Sequence, residues 1–477
     1  MQYLYFLRTA AIFICLLVFG PPAVAQERLS LQEAIDFALE NNITLQQGAL
    51  NLERNEWDVK RGYANYWPTL NANGRHNYNF GRTIDPLTNL YVTERIQTNF
   101  FSLNSDLILF NGLSNLHNLR QSKNAYISGE YTLQDLEQTI MLDVVSMYLQ
   151  VLMSHEQENR LTKQLESTQY LLDQAMVRIR AGSENPVREL ELKATLSTNE
   201  SLLVEAQANR EQGLLSLKRY INMDLSREIE LVRTEIPDSL DPFEEADIAE
   251  VWENAVARQP EVQAASFQEI AAFHSFKAAQ AGLYPRLFLN LSLNSGYSSN
   301  ARDIDILGVR TDTIGQVLGS SEYVVTEAPD VALVTSGFGN QLADNFGQSV
   351  GFSLSVPIFN NLQVRYNMQM AQINRRQAEL EYDQIVVDAK NKIYQAYNDM
   401  RLSFRKYVAA RNQYLAQEAL MRQSQVRFDE GLLSSFDWNI MQNDLVTSQA
   451  DFLQAKYEYL FRTKIFDFYL GKPITLQ

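Results

Sequence analysis

The chain has 477 residues, a formal net charge of −16, one cysteine and four histidines. Such an acidic chain is a poor partner for nucleic acid or for anionic lipid headgroups, because like charges repel. The histidines lack metal-ligand spacing, and we find no phosphate-binding loop or nucleophile motif. We therefore expect no enzyme activity, no cofactor and no metal.

The first 25 residues have the pattern of a signal peptide. One cation, Arg8, precedes an apolar run over residues 10–19, and a small-x-small cleavage site ends at Ala25. We expect cleavage after Ala25, which also removes the only cysteine, Cys15. The run is too short to span a bilayer, and we find no other run of about 18 apolar residues. The protein is therefore predicted to be exported without a transmembrane helix.

Residues 31–63 are predicted to form the first helix of the exported chain. Apolar residues follow Leu31 with helical spacing, and Ser30 with Glu33 matches a capping box. A second helix of this kind is expected from Ile248.

Four segments of about ten residues alternate between apolar and Asn- or Ser-rich positions. In one of them Leu289 and Leu291 alternate with Asn290 and Ser292. This alternation is typical of strands with lipid on one side and a water-filled lumen on the other. A soluble sandwich is the alternative, but its core would have to come from four strands alone. The predicted strands are about 69–80, 99–109, 286–297 and 347–358.

Four strands cannot close a barrel, for which about eight are the practical minimum, and open strand edges do not lie in lipid. Several copies must therefore share one barrel, and three copies supply twelve strands. We expect a homotrimer in contact with outer-membrane lipid. The stretch from about 298 to 345 is predicted to be a long exterior loop. Whether it has a function or is a tolerated insertion stays open.

A hairpin of two long helices is predicted after each strand pair, at about 112–221 and 360–470. The tip glycines, Gly182 and Gly431, lie 249 residues apart, and no residue is gained or lost between the two copies. Packed helices require this constancy, because one extra residue rotates a helix by about 100°. Glycine at the tip allows the positive φ that ends a helix and reverses the chain.

These elements divide the chain into four segments. The predicted division is a signal peptide at 1–25, a first repeat at 26–229, an acidic linker at 230–247 and a second repeat at 248–477.

The signal peptide, the two strand-and-hairpin repeats, the Tyr284-Pro285 strand entry and the Arg-x-x-x-Gly tips together resemble the TolC-like outer-membrane efflux protein family. The resemblance implies an α+β membrane protein. Its trimeric 12-stranded outer-membrane β-barrel, with four strands per chain, would continue into a long periplasmic α-helical coiled-coil tunnel. It also implies two partners: a periplasmic adaptor protein that meets the hairpin tips, and an inner-membrane pump joined by that adaptor.

The resemblance also places candidate functional residues at the hairpin tips. In the family a gate aspartate follows the second tip glycine by six residues, and Asp437 stands there. Phe428 and Leu433 replace the tyrosine and arginine that brace the gate, and Ile440 replaces a second aspartate. We therefore expect apolar packing by Phe428 to close the gate together with Asp437. The adaptor-contacting residues would be Arg178, Gly182, Val187, Arg427, Gly431, Leu432 and Ser435.

Simpler readings of these charged residues stay open. Arg178 and Arg427 are near helix C-termini, where a cation interacts favourably with the helix dipole whatever its partner. Asp437 lies in the first turn of a helix, where an acid is equally favourable without any gate.

The leading hypothesis is therefore a passive exit duct of a tripartite efflux pump or a type I secretion system. The alternative is an exported structural coiled-coil scaffold or surface protein, which the long helices alone would favour.

Overall fold

The computed structural model describes most of the chain, namely residues 27–85, 89–93, 95–232, 255–430 and 432–472. Several predicted features fall outside these residues. They are the signal peptide with its cleavage after Ala25, residues 233–247 of the acidic linker, residues 248–254 and the tip glycine Gly431.

Two compact units make up the described chain. The helical unit comprises the described parts of 1–55, 125–269 and 378–477, and the sheet unit those of 56–124 and 270–377. Each unit takes elements from both halves of the sequence, so neither unit coincides with one predicted repeat.

The sheet unit contains a four-stranded antiparallel sheet. Its strands are β2 (Asn71–Asn79), β5 (Ile96–Phe110), β7 (Arg286–Ser298) and β10 (Gly347–Ser355), in the order β10-β7-β5-β2. The strand pairs from the two halves of the chain meet where β5 pairs with β7. Strand β10 ends three residues before the predicted 358, because Pro357 has no N–H to donate to a ladder.

The connection between β7 and β10 is folded, so its description as a long loop was wrong. It forms a hairpin of β8 (Arg302–Gln316) and β9 (Tyr323–Thr335), followed by the short helix α6 (Phe338–Asp344). Gln341 closes the base of this hairpin: its side-chain oxygen accepts from Ser298 N at 2.8 Å. The missed signal is the alternation of β-branched residues with acids along β8. A shorter hairpin, β3 (Thr83–Ile84) with β4 (Tyr91–Val92), lies between β2 and β5.

Sharp turns join strands to helices at matching places in both halves. Gly112 and Leu113 have φ values of 68° and 70°, and Asn361 and Leu362, 249 positions later, have 50° and 63°. A Cβ on residue 112 would lie 2.6 Å from the Ala281 carbonyl oxygen, so this turn requires glycine.

Seven of the described helices have eleven or more residues. They are α1 (Leu31–Asn41), α2 (Ile43–Ala64), α3 (Ser114–Arg180), α4 (Val187–Tyr220), α5 (Pro260–Gln280), α7 (Gln363–Asp429) and α8 (Ser435–Tyr469). The prediction of one continuous helix over 31–63 was wrong, because the helix breaks at Asn42. The Asn42 side-chain oxygen accepts from Thr44 N at 2.9 Å, and its amide donates to the Tyr220 carbonyl at 3.1 Å. A buried asparagine thus caps the new helix and ties it to α4.

Apolar stripes pack the helical unit into two main clusters. Ile140 and Val144 of α3 are buried against Ala34 of α1 and Leu217 of α4. In the second half of the chain, an apolar stripe of α7 is buried against α8 and against helical residues before α5. The buried members of that second cluster include Ala389, Ile393, Ala396, Met400, Ala455 and Tyr459.

A short parallel strand pair closes the first cluster. Strand β1 (Glu27–Leu29) pairs with β6 (Ile229–Leu231), which spans the predicted boundary between the first repeat and the acidic linker. The buried Tyr148 hydroxyl lies 2.9 Å from the Leu29 carbonyl oxygen and 2.7 Å from that of Val232. Burial raises the pKa of this phenol well above its usual range.

Candidate channel surfaces and hairpin tips

One face of the four-stranded sheet carries a ladder of hydrogen-bonded polar side chains. The Asn290 amide donates to the Asp106 carboxylate at 2.8 Å, and its side-chain oxygen accepts from the Ser353 hydroxyl at 2.8 Å. One step along, the Ser292 hydroxyl donates to the Asn104 side-chain oxygen, also at 2.8 Å. These bonds link side chains of three adjacent strands along one face of the sheet.

The opposite face of the same sheet is apolar and accessible. Leu289 of β7 pairs with Phe352 of β10 and with Leu107 of β5. Phe352 is 69% exposed and Leu354 is 68% exposed. Exposed apolar residues across a whole sheet face mark an interaction surface.

Strands β2 and β10 form the two edges of this sheet, because each pairs with a single neighbour in it. Long exposed edges with apolar residues pair readily with other strands. The sheet is therefore incomplete on both sides as well as apolar on one face.

The tip of the first helical hairpin is closed by backbone hydrogen bonds. Ser183 N donates to the Arg178 carbonyl at 2.9 Å, and Gly182 N donates to that of Ile179 at 3.0 Å. Gly182 has a φ of 74°. This is the helix-ending motif that the glycine predicted. The residue after the turn, Val187, begins α4 and is 54% exposed.

The second tip repeats this backbone bond. Leu432 N donates to the Arg427 carbonyl at 2.8 Å, 249 positions after the equivalent bond of the first tip. The Leu432 side chain is 66% exposed. Gly431 and the side chain of Ser435 lie outside the described residues.

An aromatic pair joins the two arms at the second tip. The Phe428 ring stacks on the Trp438 indole, with 5.1 Å between centroids, and the indole N–H donates to the Gln425 side-chain oxygen at 3.2 Å. Sequence reasoning selected Phe428 but missed Trp438. Trp438 could have been found from its position ten residues after Phe428, on the facing arm of the two-helix hairpin.

Asp437 takes part in the cap of α8. Ser434 is the N-cap residue: its hydroxyl oxygen accepts from Asp437 N at 3.1 Å and lies 2.7 Å from an Asp437 carboxylate oxygen. The carboxylate is exposed. The local role of Asp437 as a first-turn acid is thus present in a single chain, and a ring of such acids requires further copies.

The described residues contain no grouping of three or more His, Cys, Asp or Glu side chains that could hold a metal ion. Among the described helices, none is both long and apolar enough to cross a membrane.

Comparison with known proteins identifies the family. The outer membrane efflux protein family matches residues 34–223 and 251–464. Toxin and drug export protein A of Aggregatibacter actinomycetemcomitans is 20% identical over 336 residues, which span 69% of this chain and 64% of that protein, just under two thirds of its length. The cation efflux system protein CusC of Escherichia coli O157:H7 is 19% identical, over 89% of this chain and 82% of that protein.

Solved structures share the fold. The CmeC outer membrane channel of Campylobacter jejuni superposes with a TM-score of 0.73 at 16% identity, over 92% of this chain and 85% of that one. Because the family match extends over most of its length, the protein belongs to the outer membrane efflux protein family. The family indicated by the sequence motifs is confirmed.

Proposed function

We propose that this protein is an outer-membrane channel-tunnel: the passive exit duct of a tripartite efflux pump or a type I secretion system. The observation that carries the proposal is the four-stranded sheet, with its hydrogen-bonded polar face, its exposed apolar face and two edges each lacking a second neighbour. A channel wall needs this combination, because one face meets water and the other meets lipid.

The two open edges support a homotrimer. Edge β10 of one copy would pair with edge β2 of the next, and three copies would close a barrel of twelve strands. Family membership and the likeness to solved channels favour this assembly over a soluble coiled-coil scaffold. The recurrence of turns and tip bonds 249 residues apart supports two tandem structural repeats, each supplying one strand pair and one helical hairpin.

The helical hairpins would form the periplasmic tunnel, with their tips as the contact surface for a periplasmic adaptor and, through it, an inner-membrane pump. The tip residues proposed for this contact are those predicted from the sequence, and Phe428 with Asp437 are proposed as the gate. The signal peptide, cleaved after Ala25, would direct the chain to the outer membrane. A duct of this kind needs no cofactor and performs no enzymatic step.

Fractionation and conductance test the proposal together. We expect the full chain in the outer-membrane fraction, and the purified protein should form discrete ion-conducting pores in planar bilayers. Recovery as a soluble periplasmic or released protein, without pores, would instead identify the exported scaffold and refute the duct.

A further inference from the structure

Four helix ends meet the same end of the sheet. Helices α2 and α5 end before β2 and β7, and helices α3 and α7 begin after β5 and β10. Since neighbouring strands of this sheet are antiparallel, all four connections lie at one end of it.

The segments at these helix ends contain no acidic residue. Together they comprise 59 residues, and at the chain's frequency of 57 acids in 477 residues about seven would be expected. The chain as a whole carries a net charge of −16, whereas these segments contain cations and no acids, so their charge is positive. The four segments are 59–69, 111–124, 270–285 and 360–377.

Five cations lie in these segments within six residues of a helix end. At 1.5 Å per residue they are within about 9 Å of the helix end, comparable to the Debye length in physiological salt. The Lys60 amine lies 2.7 Å from the Glu56 carboxylate and also over the Trp57 ring, and Lys277 lies over Phe273. We call this group the basic collar: Lys60, Arg61, Arg120, Lys277 and Arg365.

In the chain, aromatic residues lie between the collar cations and the strands. Trp67 is 75% exposed and precedes β2, and Tyr284 is 56% exposed and precedes β7. Along both connections the chain order is cation, aromatic ring, then leucine: Leu70 immediately precedes β2, and Leu287 lies in β7. A lipid interface has the same order, because amphipathic rings favour the headgroup level and cations favour anionic headgroups beyond it.

We propose that the basic collar binds the headgroups of anionic phospholipids in the leaflet that meets this end of the sheet. This inference rests on the proposed function, since it requires the sheet to be embedded in a bilayer. It also replaces the sequence-level expectation that the whole chain avoids anionic headgroups: net charge is a sum over the chain, whereas a headgroup senses only charges within about one Debye length.

Lipid retention tests the collar. The purified full chain in neutral detergent is mixed with phosphatidylglycerol or phosphatidylcholine, passed through gel filtration, and bound lipid is quantified by mass spectrometry. We expect preferential retention of phosphatidylglycerol. The triple variant Arg61→Gln, Arg120→Gln, Arg365→Gln should lose at least tenfold of that preference, since each cation near an anionic surface contributes about fivefold.

A second triple variant controls for total charge. Lys193→Gln, Arg405→Gln, Arg422→Gln removes three exposed cations from the helical unit and should change retention by less than twofold. If the collar variant fails to fold, its three substitutions are tested one at a time. Each single variant should lose about fivefold of the preference for phosphatidylglycerol.

Several outcomes would overturn the collar. They are equal retention of both lipids, equal losses in the two triple variants, and displacement of phosphatidylglycerol by inorganic phosphate, which would indicate a site for the free anion. Unchanged retention with altered anion selectivity in planar bilayers would place the cations in the lumen. A conducting trimer without lipid preference would overturn the collar alone, whereas a non-conducting monomer would overturn the collar and the proposed function together.

Discussion

Phe428 and Trp438 stack across the tip of the second helical hairpin, with 5.1 Å between ring centroids and 28° between ring planes. Phe428 lies near the end of α7 and Trp438 near the start of α8, so this contact links the two arms. Aromatic pairs of this kind contribute about 0.5–1.5 kcal/mol beyond the area they bury. The contact between the two arms at this tip therefore includes apolar packing.

The first prediction concerns this aromatic pair. Phe428→Ala removes the stacking partner of Trp438 and should raise basal conductance in planar bilayers more than Asp437→Ala does. The equivalent position of the first hairpin is Ile179, and Ile179→Ala should leave basal conductance nearly unchanged. Closed-state conductance equal to wild type in Phe428→Ala would remove this residue from the gate.

The second prediction concerns the charge of Asp437. In a trimer three copies of this carboxylate would form a ring that attracts cations, so Asp437→Asn should reduce cation selectivity and block by multivalent cations. Ser434→Ala disturbs the helix cap but keeps the charge, and should preserve selectivity. If Asp437→Asn keeps both selectivity and block, Asp437 serves only as a first-turn acid.

The third prediction concerns assembly. The chain has a mass of 54.6 kDa including the signal peptide. Because each copy leaves the edges β2 and β10 open, the purified protein in detergent should be a trimer of about 150 kDa, excluding the detergent. Light scattering coupled to gel filtration measures this mass. A monodisperse monomer would be incompatible with a shared barrel.

The fourth prediction compares two single-residue insertions. Ala396 is 7% exposed in the second apolar cluster, and an insertion there would rotate the following residues by about 100° and abolish assembly. Gly319 lies at the turn of the β8–β9 hairpin with a φ of 87° and open space around it. An insertion beside Gly319 should be tolerated, as judged by trimer yield and melting temperature. Similar yields from both insertions would contradict the assignment of these segments.

The fifth prediction concerns pH. The Nδ1 atoms of His117 and His274 lie 3.2 Å apart. Burial lowers the pKa of both imidazoles, and the neighbouring cation Arg120 lowers them further. In the unfolded chain the imidazoles have an ordinary pKa of about 6.5. Below that pH the unfolded chain therefore binds more protons than the folded chain. Stability should be retained above about pH 6.5 and decrease as pH falls through the lowered values.

Thermal melts between pH 7.5 and 5 measure this effect. The double variant His117→Gln, His274→Gln should show a shallower fall in melting temperature than wild type. His155→Gln, at a position outside this pair, should leave the slope of wild type unchanged. An identical pH dependence in the double variant and wild type would exclude the pair as its source.

Local patterns were the reliable part of the sequence analysis. The long helices begin and end within a few residues of their expected positions, because helical spacing, Gly182 and the proline-bounded strands act over a few residues. The polar and apolar faces of β7 followed from the alternation of leucine with asparagine and serine for the same reason. By contrast, the folded hairpin at β8–β9 was missed, because its Gly- and Ser-rich flanks obscured the alternation within it.

The sequence by itself therefore determined the periodicities: two long hairpins, strands with one polar face, and the turns that end them. Only the tertiary structure decided which distant segments meet, because such contacts depend on the path of the chain and leave no local spacing. Examples are the strand order β10-β7-β5-β2, the Asn42 break secured by Tyr220, and the stacking of Phe428 on Trp438. The basic collar is of the same kind, since its cations come from four separate segments and become neighbours of one sheet end only in the folded chain.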